Sequence, residues 1–217
     1  MLEFIEWVSK YTLYPKGLIL KMVLPSLDIV NYKGDINKEK EIIKYKKNIK
    51  LNIEQKKAFK LIERNLKYKQ KTIVLEGVTG SGKTEVFFEV VKKIIKKNVQ
   101  VLILLPEISL TPNIEKRFIN RIGFSPEIWH SKISISKKRK IWNRCYTGES
   151  KIIVGARSSL FLPFKNLGLI IVDEEHDQSY KQDEGVIYNA RDMAISRASF
   201  ENIAINLVTA VPSIETF

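Results

Sequence analysis

The sequence is short of cysteine. Cys145 stands alone in 217 residues, which excludes an internal disulfide and any cysteine-rich zinc site within this chain. Long apolar runs are missing too. None reaches the 18 or so residues that a membrane span needs, so no membrane partner is expected. The first residues set Glu3, Glu6 and Lys10 into the apolar pattern and do not read as a signal peptide; the expected compartment is the cytoplasm. No internal repeat is visible. Acidic residues are in deficit: 24 Asp and Glu face 37 Lys and Arg, a formal charge of +13 with a pI near 9.6. Such an excess points to a polyanionic partner, most often nucleic acid, while a Lys- and Ile-rich compositional bias explains it equally well. Residues 1–71 hold 17 Lys and Arg against 8 Asp and Glu, which is +9 of the total.

The rest is ordinary for a globular protein, with 44% hydrophobic and 28% charged residues, long enough for one full core and a small appendage. Residues 2–24 predict two short helices: Leu2, Ile5 and Val8 recur at helical spacing, Pro15 interrupts, and Pro25 closes a unit too small to bury a core alone. Residues 26–50 read as a basic linker, with Asn31, Gly34, Asp35 and Asn37 followed by a Lys-dense run. From residue 51 helices and strands alternate. Helices are expected at 53–69, after the phosphate loop described next, and at 112–121, 135–146 and 189–200. Strands are expected at 72–76, 100–105, 127–129, 151–155, 168–172 and 203–208. Apolar strands alternating with amphipathic helices predict an α/β fold, a parallel sheet covered by helices on both faces.

Two motifs carry chemistry. Gly77-Val-Thr-Gly-Ser-Gly-Lys-Thr84 matches G-x-x-x-x-G-K-[ST] in full, between an expected strand and an expected helix. Gly77, Gly80 and Gly82 let the backbone wrap phosphates with its amides inward, and the helix N-terminus adds partial positive charge. Lys83 reaches the β- and γ-phosphates of such a ligand and the Thr84 hydroxyl is a ligand for Mg²⁺. The second motif is Asp173-Glu174-Glu175-His176, at the end of the very apolar 168–172 run. Carboxylates at the carboxyl end of a buried parallel strand face the ligand crevice. Asp173 is the candidate Mg²⁺ holder and Glu174 the candidate base or water-positioner, with His176 sensing the γ-phosphate. A helix-capping acidic cluster is the competing reading.

Those words, with their neighbours, resemble the PriA-type replication-restart helicases, DExH members of superfamily 2. The resemblance is carried by Leu75–Val86, Leu105–Pro112, Ile153–Phe164, Ser179–Gln182 and Tyr188–Asp192, and more weakly by Trp7–Pro25, which is similar to the end of a winged-helix region. It implies a RecA-like P-loop lobe over 51–217, preceded by a partial winged-helix-like segment at 1–25, in an ATP-dependent 3′-to-5′ DNA helicase. ATP and Mg²⁺ are the implied cofactors. Forked or single-stranded DNA, primosome proteins and single-stranded DNA-binding protein are the implied partners. Gln55 would read the adenine edge, although Asn52 and Gln55 also fit a capping box. Thr111, Arg157 and Ser158 would touch the DNA backbone, with an ion pair inside the lobe as the other role for Arg157. Tyr180, Lys181 and Tyr188 lie in a stretch similar to an aromatic-rich, DNA-sensing loop, and core packing is the other role for the tyrosines. His130 is assigned no role.

The sequence departs from that family in three ways. Thr209-Ala-Val211 stands where the family has Ser-Ala-Thr, and Asn113 stands where it usually has Gln. A helicase motor has two such lobes, the second supplying an arginine finger and, in this family, the zinc cysteines; the sequence to Phe217 holds the first. The expectation for these residues alone is weak ATP binding, little hydrolysis and no unwinding. Two other readings stay open: a non-catalytic nucleotide- and DNA-binding module, and a decaying gene product without activity.

Overall fold

The structure is a computed structural model that describes residues 1–26, 29, 50–66 and 72–216. Most of the expected linker at 26–50, and the last residues of the expected 53–69 helix, lie outside the described residues. Leu2–Thr12 (α1) and Lys16–Val23 (α2) come first, then Ile53–Asn65 (α3), Thr72–Glu76 (β1) and Lys83–Ile95 (α4). Gln100–Leu104 (β2), Pro112–Ile122 (α5), Glu127–Trp129 (β3), Ile135–Thr147 (α6) and Ile152–Gly155 (β4) follow. Leu167–Asp173 (β5), the short pair Lys181–Gln182 (β6) and Tyr188–Asn189 (β7), Ala190–Phe200 (α7) and Ala204–Thr209 (β8) complete the order.

Six strands form one wholly parallel sheet in the order β1-β8-β5-β2-β4-β3. The run of apolar residues in β2, β5 and β8 follows from burial on both faces. Along β2, Val101 and Ile103 join one core cluster while Leu102 and Leu104 join the other. This is the two-residue period of a pleated strand. On the first face α3, α4 and α5 contribute Ile62, Phe88, Val91 and Phe118. On the second, α6 and α7 contribute Ile141, Met193 and Ala194. Caps set the helix ends. Asn52 and Gln55 form the capping box that starts α3, Ser134 caps α6, and Gly123 and Gly148 close α5 and α6 in the left-handed region.

The first two helices solve their small-core problem by docking. Phe4, Ile5, Val8, Ile19 and Val23 are buried in the same cluster as β4, β5 and α7. The Trp142 indole donates to the Val23 carbonyl at 2.8 Å. The buried Arg197 guanidinium lies over the Phe4 ring at 5.9 Å. Sequence periodicity missed the β6–β7 pair, two residues per strand, and the single-turn helices at 107–109, 157–161 and 178–180.

Candidate functional site

The ends of β1, β8 and β5 lie side by side, and each carries one piece of the site. The Gly77 amide, just past β1, donates to the Thr209 carbonyl at 3.2 Å; the Glu175 amide, just past β5, donates to the Val208 carbonyl at 3.1 Å. Strand β8 thus holds the phosphate-binding loop on one side and the acidic motif on the other.

Within the loop, Gly80 and Gly82 have φ of 80° and 82°, values that L side chains rarely adopt. A methyl at Gly82 would also sit 2.3 Å from Gln55 Nε2. Lys83 Nζ donates to the Gly77 carbonyl at 2.5 Å and the Val78 carbonyl at 3.3 Å. The Ser81 hydroxyl is buried without a partner among the described residues, an orphaned donor facing a concave backbone. Thr84 follows in the first turn of α4. Gln55 does two things at once: its Oε1 accepts from the Asn52 amide at 3.0 Å and its Nε2 donates to the Ser81 carbonyl at 2.9 Å. The capping-box role is therefore present, and the same side chain props the loop. Gln55 lines a cleft with Leu75, Gly77, Ser81 and Lys83.

At the end of β5, burial pushes the Asp173 carboxyl up to about 6, with the Glu174 charge adding to the rise and Lys83 and Arg117 opposing it. The opposition from Lys83 shows that the two motifs meet electrostatically across β8. Glu174 has φ 48°, an unusual conformation for a side chain with a Cβ; its half-exposed carboxylate lies 3.8 Å from His176 Nδ1. His176 Nδ1 in turn lies 2.8 Å from the Thr209 hydroxyl. That hydroxyl also contacts the Val211 carbonyl at 2.9 Å and accepts from the Val211 amide at 3.2 Å. The carbonyl can only accept, so it takes the hydroxyl proton when His176 carries its own on Nδ1. The Val211 side chain is exposed, at 66%.

Glu175 was not singled out by sequence reasoning and is the most enclosed acid of the motif, with a side chain 0% exposed. It accepts from the Ser213 amide at 3.0 Å, from the Ser213 and Thr216 hydroxyls at 3.3 and 2.9 Å, and from Arg191 Nη1 at 3.3 Å. Arg191 is itself buried and bonds Asp192 and Ser213. This network ties the acidic motif to the start of α7 and to the segment after β8. The signal was present: Glu175 sits inside the acidic run and Arg191 inside the Tyr188–Asp192 word.

Of the residues expected to face DNA, Thr111 follows β2 and Arg157 and Ser158 follow β4, on the other half of the same sheet edge, while Tyr180 and Lys181 follow β5. Thr111 is exposed at the N-cap of α5 and makes no side-chain capping bond. Arg157 is half-buried and donates from Nη1 to the Lys181 carbonyl, so its partner here is backbone rather than a carboxylate. Ser158 accepts from the Trp129 indole at 3.1 Å. Lys181 is exposed, with Asp183 3.4 Å away. The Tyr180 expectation is corrected. Its ring is 1% exposed, and its hydroxyl lies 2.6 Å from the Asp173 carbonyl and 3.0 Å from the Leu104 carbonyl. Burial and the surrounding acids push its ionisation well up. A ring packed under the acidic motif cannot stack on a base. Tyr188 is also buried, edge-on to Phe161 at 5.5 Å.

The DEAD/DEAH box helicase family model matches residues 52–217. The chain belongs to the DEAD/DEAH box helicase family. It is 46% identical over 216 residues to the replication restart protein PriA of Rickettsia felis, covering 100% of this chain and 32% of that protein. It is 42% identical over 168 residues to the PriA protein of Bacillus subtilis, covering 77% of this chain and 21% of that protein. The chain therefore spans about a third of the Rickettsia relative. Among solved structures, the UvsW helicase from bacteriophage T4 superposes with a TM-score of 0.52 at 18% identity, over 78% of this chain and 56% of that one. The DUF1998 helicase MrfA gives 0.53 at 20%, over 76% and 27%. At those identities the likeness is one of fold, a helicase-type α/β lobe. Within the family, ATP and Mg²⁺ are the expected ligands, and the orphaned Ser81 hydroxyl, the two left-handed glycines and the partly buried Asp173, on which the Lys83 charge acts, fit that pair.

Proposed function

We propose that this chain is the ATP-binding lobe of a PriA-type DNA helicase acting in replication restart. The observation that carries the proposal is the placing of the complete phosphate loop and the acidic motif on either side of β8, in a chain similar over its whole length to PriA proteins. Lys83, the loop amides and the Ser81 hydroxyl would hold the phosphates of ATP. Gln55, already bonded to the loop, would contact the adenine edge. Thr84 and Asp173 would hold Mg²⁺, which when bound supplies positive charge against the phosphate oxygens. Glu174 would orient the attacking water and accept its proton. His176, through Thr209, would pass the state of the nucleotide to the segment beyond β8.

DNA would run along the far half of the sheet edge, past Thr111, Arg157, Ser158 and Lys181, with backbone contacts dominating. Primosome proteins, single-stranded DNA-binding protein and a cytoplasmic setting belong to the same reading. Rapid hydrolysis in such motors needs an arginine from a second lobe, a contribution of about 10³- to 10⁵-fold in comparable enzymes. DNA-stimulated ATP turnover by residues 1–217 assayed apart from any second lobe is accordingly expected to stay close to background. Robust turnover that disappears in Lys83→Ala would overturn the need for that arginine.

A further inference from the structure

The sequence around the start of α6 has a charge pattern that the nucleotide site does not use. Lys132, Lys137 and Lys140 are exposed and Lys138 is half-buried. The first turn of α6 holds no acidic residue and two of these lysines, the reverse of what the helix dipole favours. Among the described residues no carboxylate pairs with Lys132, Lys137 or Lys140, and Lys138 bonds only the Ser131 carbonyl, at 3.1 Å. The nearby acids are engaged elsewhere: Glu127 and Glu149 by Arg144, and Glu107, at the margin, by the Ser131 hydroxyl at 2.6 Å. The start of α6 therefore carries like charges with no carboxylate compensation among the described residues.

Their position gives the pattern direction. Strand β3 is the last strand of the sheet and runs parallel to β4, so residues 130–134 emerge at the carboxyl edge. The Ala156 amide bonds the Trp129 carbonyl at 3.0 Å, and the Trp129 indole bonds Ser158. The lysines thus continue the line of Thr111, Arg157 and Ser158 around the end of the sheet. Residues 130–140 contain no Phe, Tyr or Trp and do contain Ser131, Ser134 and Ser136. Single-strand binders combine cations with exposed aromatic rings for stacking. Cations and hydroxyls, with the exposed Ile135 but no ring to stack on a base, suit the phosphates of a double helix, whose bases are already stacked.

We propose that the surface formed by Lys132, Lys137, Lys138 and Lys140 binds the phosphate backbone of a DNA duplex, such as the arm of a fork next to the strand being tracked. This rests on the reading of the chain as a DNA-helicase lobe. It adds a second, stacking-independent contact beyond the strand track.

The test measures binding of the full 217-residue chain to a blunt duplex and to a single strand across a salt series. The quadruple Lys→Ala variant at these positions is compared with a control variant carrying Lys56, Lys57, Lys60 and Lys97→Ala, exposed residues on the opposite face. Each phosphate neutralised contributes about 0.9 to the slope of log affinity on log salt for duplex DNA. The quadruple variant is expected to lose about 3 to 4 from the duplex slope, with single-strand binding and Mg²⁺-ATP binding unchanged. The charge-reversed Lys137→Glu/Lys138→Glu variant should lose duplex affinity while unfolding at no lower temperature, because acids suit that helix end. An unchanged duplex slope, or an equal loss in the control variant, would overturn the inference while leaving the ATP-site reading intact. Equal loss on single strand and duplex would assign these lysines to the strand track and overturn it too. No duplex binding by the unaltered chain at low salt would remove both the inference and the DNA part of the function it rests on.

Discussion

At the scale of single residues, the acids after β5 differ in how far solvent reaches them. Asp173 titrates near 6 in the fold against an ordinary value of 3.8. Between those pH values the folded state holds a proton that the unfolded chain has released, so stability falls as pH rises through the window and is level above it. The penalty amounts to about 2 to 3 kcal/mol at neutral pH. Asp173→Asn is expected to match the unaltered chain near pH 4 and to exceed it in urea-unfolding stability by that amount at pH 7.5. Equal stability at both pH values would show that the carboxylate is not desolvated. Glu175 is more deeply buried still, yet its hydrogen-bonded shell compensates it, as buried charges require. The sequence made Asp173 and Lys83 legible because strand-end acids and glycine loops have local signatures. It did not make legible that Tyr180 faces inward. Its hydroxyl reaches the Leu104 and Asp173 carbonyls from a loop whose path is set by tertiary contacts, and no local spacing reports that. Gln55 forms the capping box that the sequence offered as one of its two roles, and it also supports the phosphate loop, a contact that no local spacing reports.

At the scale of elements, strong periodicity was enough for the helices and for the strands of the large sheet, whose continuous apolar runs admit little else. Bounds shifted by a residue or two where caps decide the end, as at Gly123 and Gly148. The elements that escaped are too short to show a period: β6, β7 and the single-turn helices. The role of α1 and α2 was half legible. Their amphipathic spacing predicted helices, but which surface takes the apolar face depends on Phe161, Arg197 and Trp142, more than a hundred residues away. Phe4 is 0% exposed and stacks on Phe161 with centroids 5.9 Å apart. Phe4→Ala is expected to destabilise the whole lobe by about 3 to 5 kcal/mol, as one cooperative transition with the sheet. A separate early transition, or a change below about 1 kcal/mol, would mean that the helical pair is not part of the lobe's core.

At the scale of the whole molecule, the candidate residues are spread along one sheet edge. The candidate nucleotide residues follow β1, β8 and β5, and the candidate DNA residues Thr111, Arg157 and Ser158 follow β2 and β4. The Glu175–Arg191–Ser213 network and the His176–Thr209 contact tie the ends of β5 and β8 to the start of α7. The central claim is that the Gly77–Thr84 loop holds Mg²⁺-ATP, and equilibrium binding of Mg²⁺-ATP to the 217-residue chain tests it most directly. Saturable binding that weakens at least about tenfold in Lys83→Ala, a loss of the size expected for a buried charge-assisted contact, is the predicted result. Binding of equal strength in the two proteins, or none in either, would contradict it.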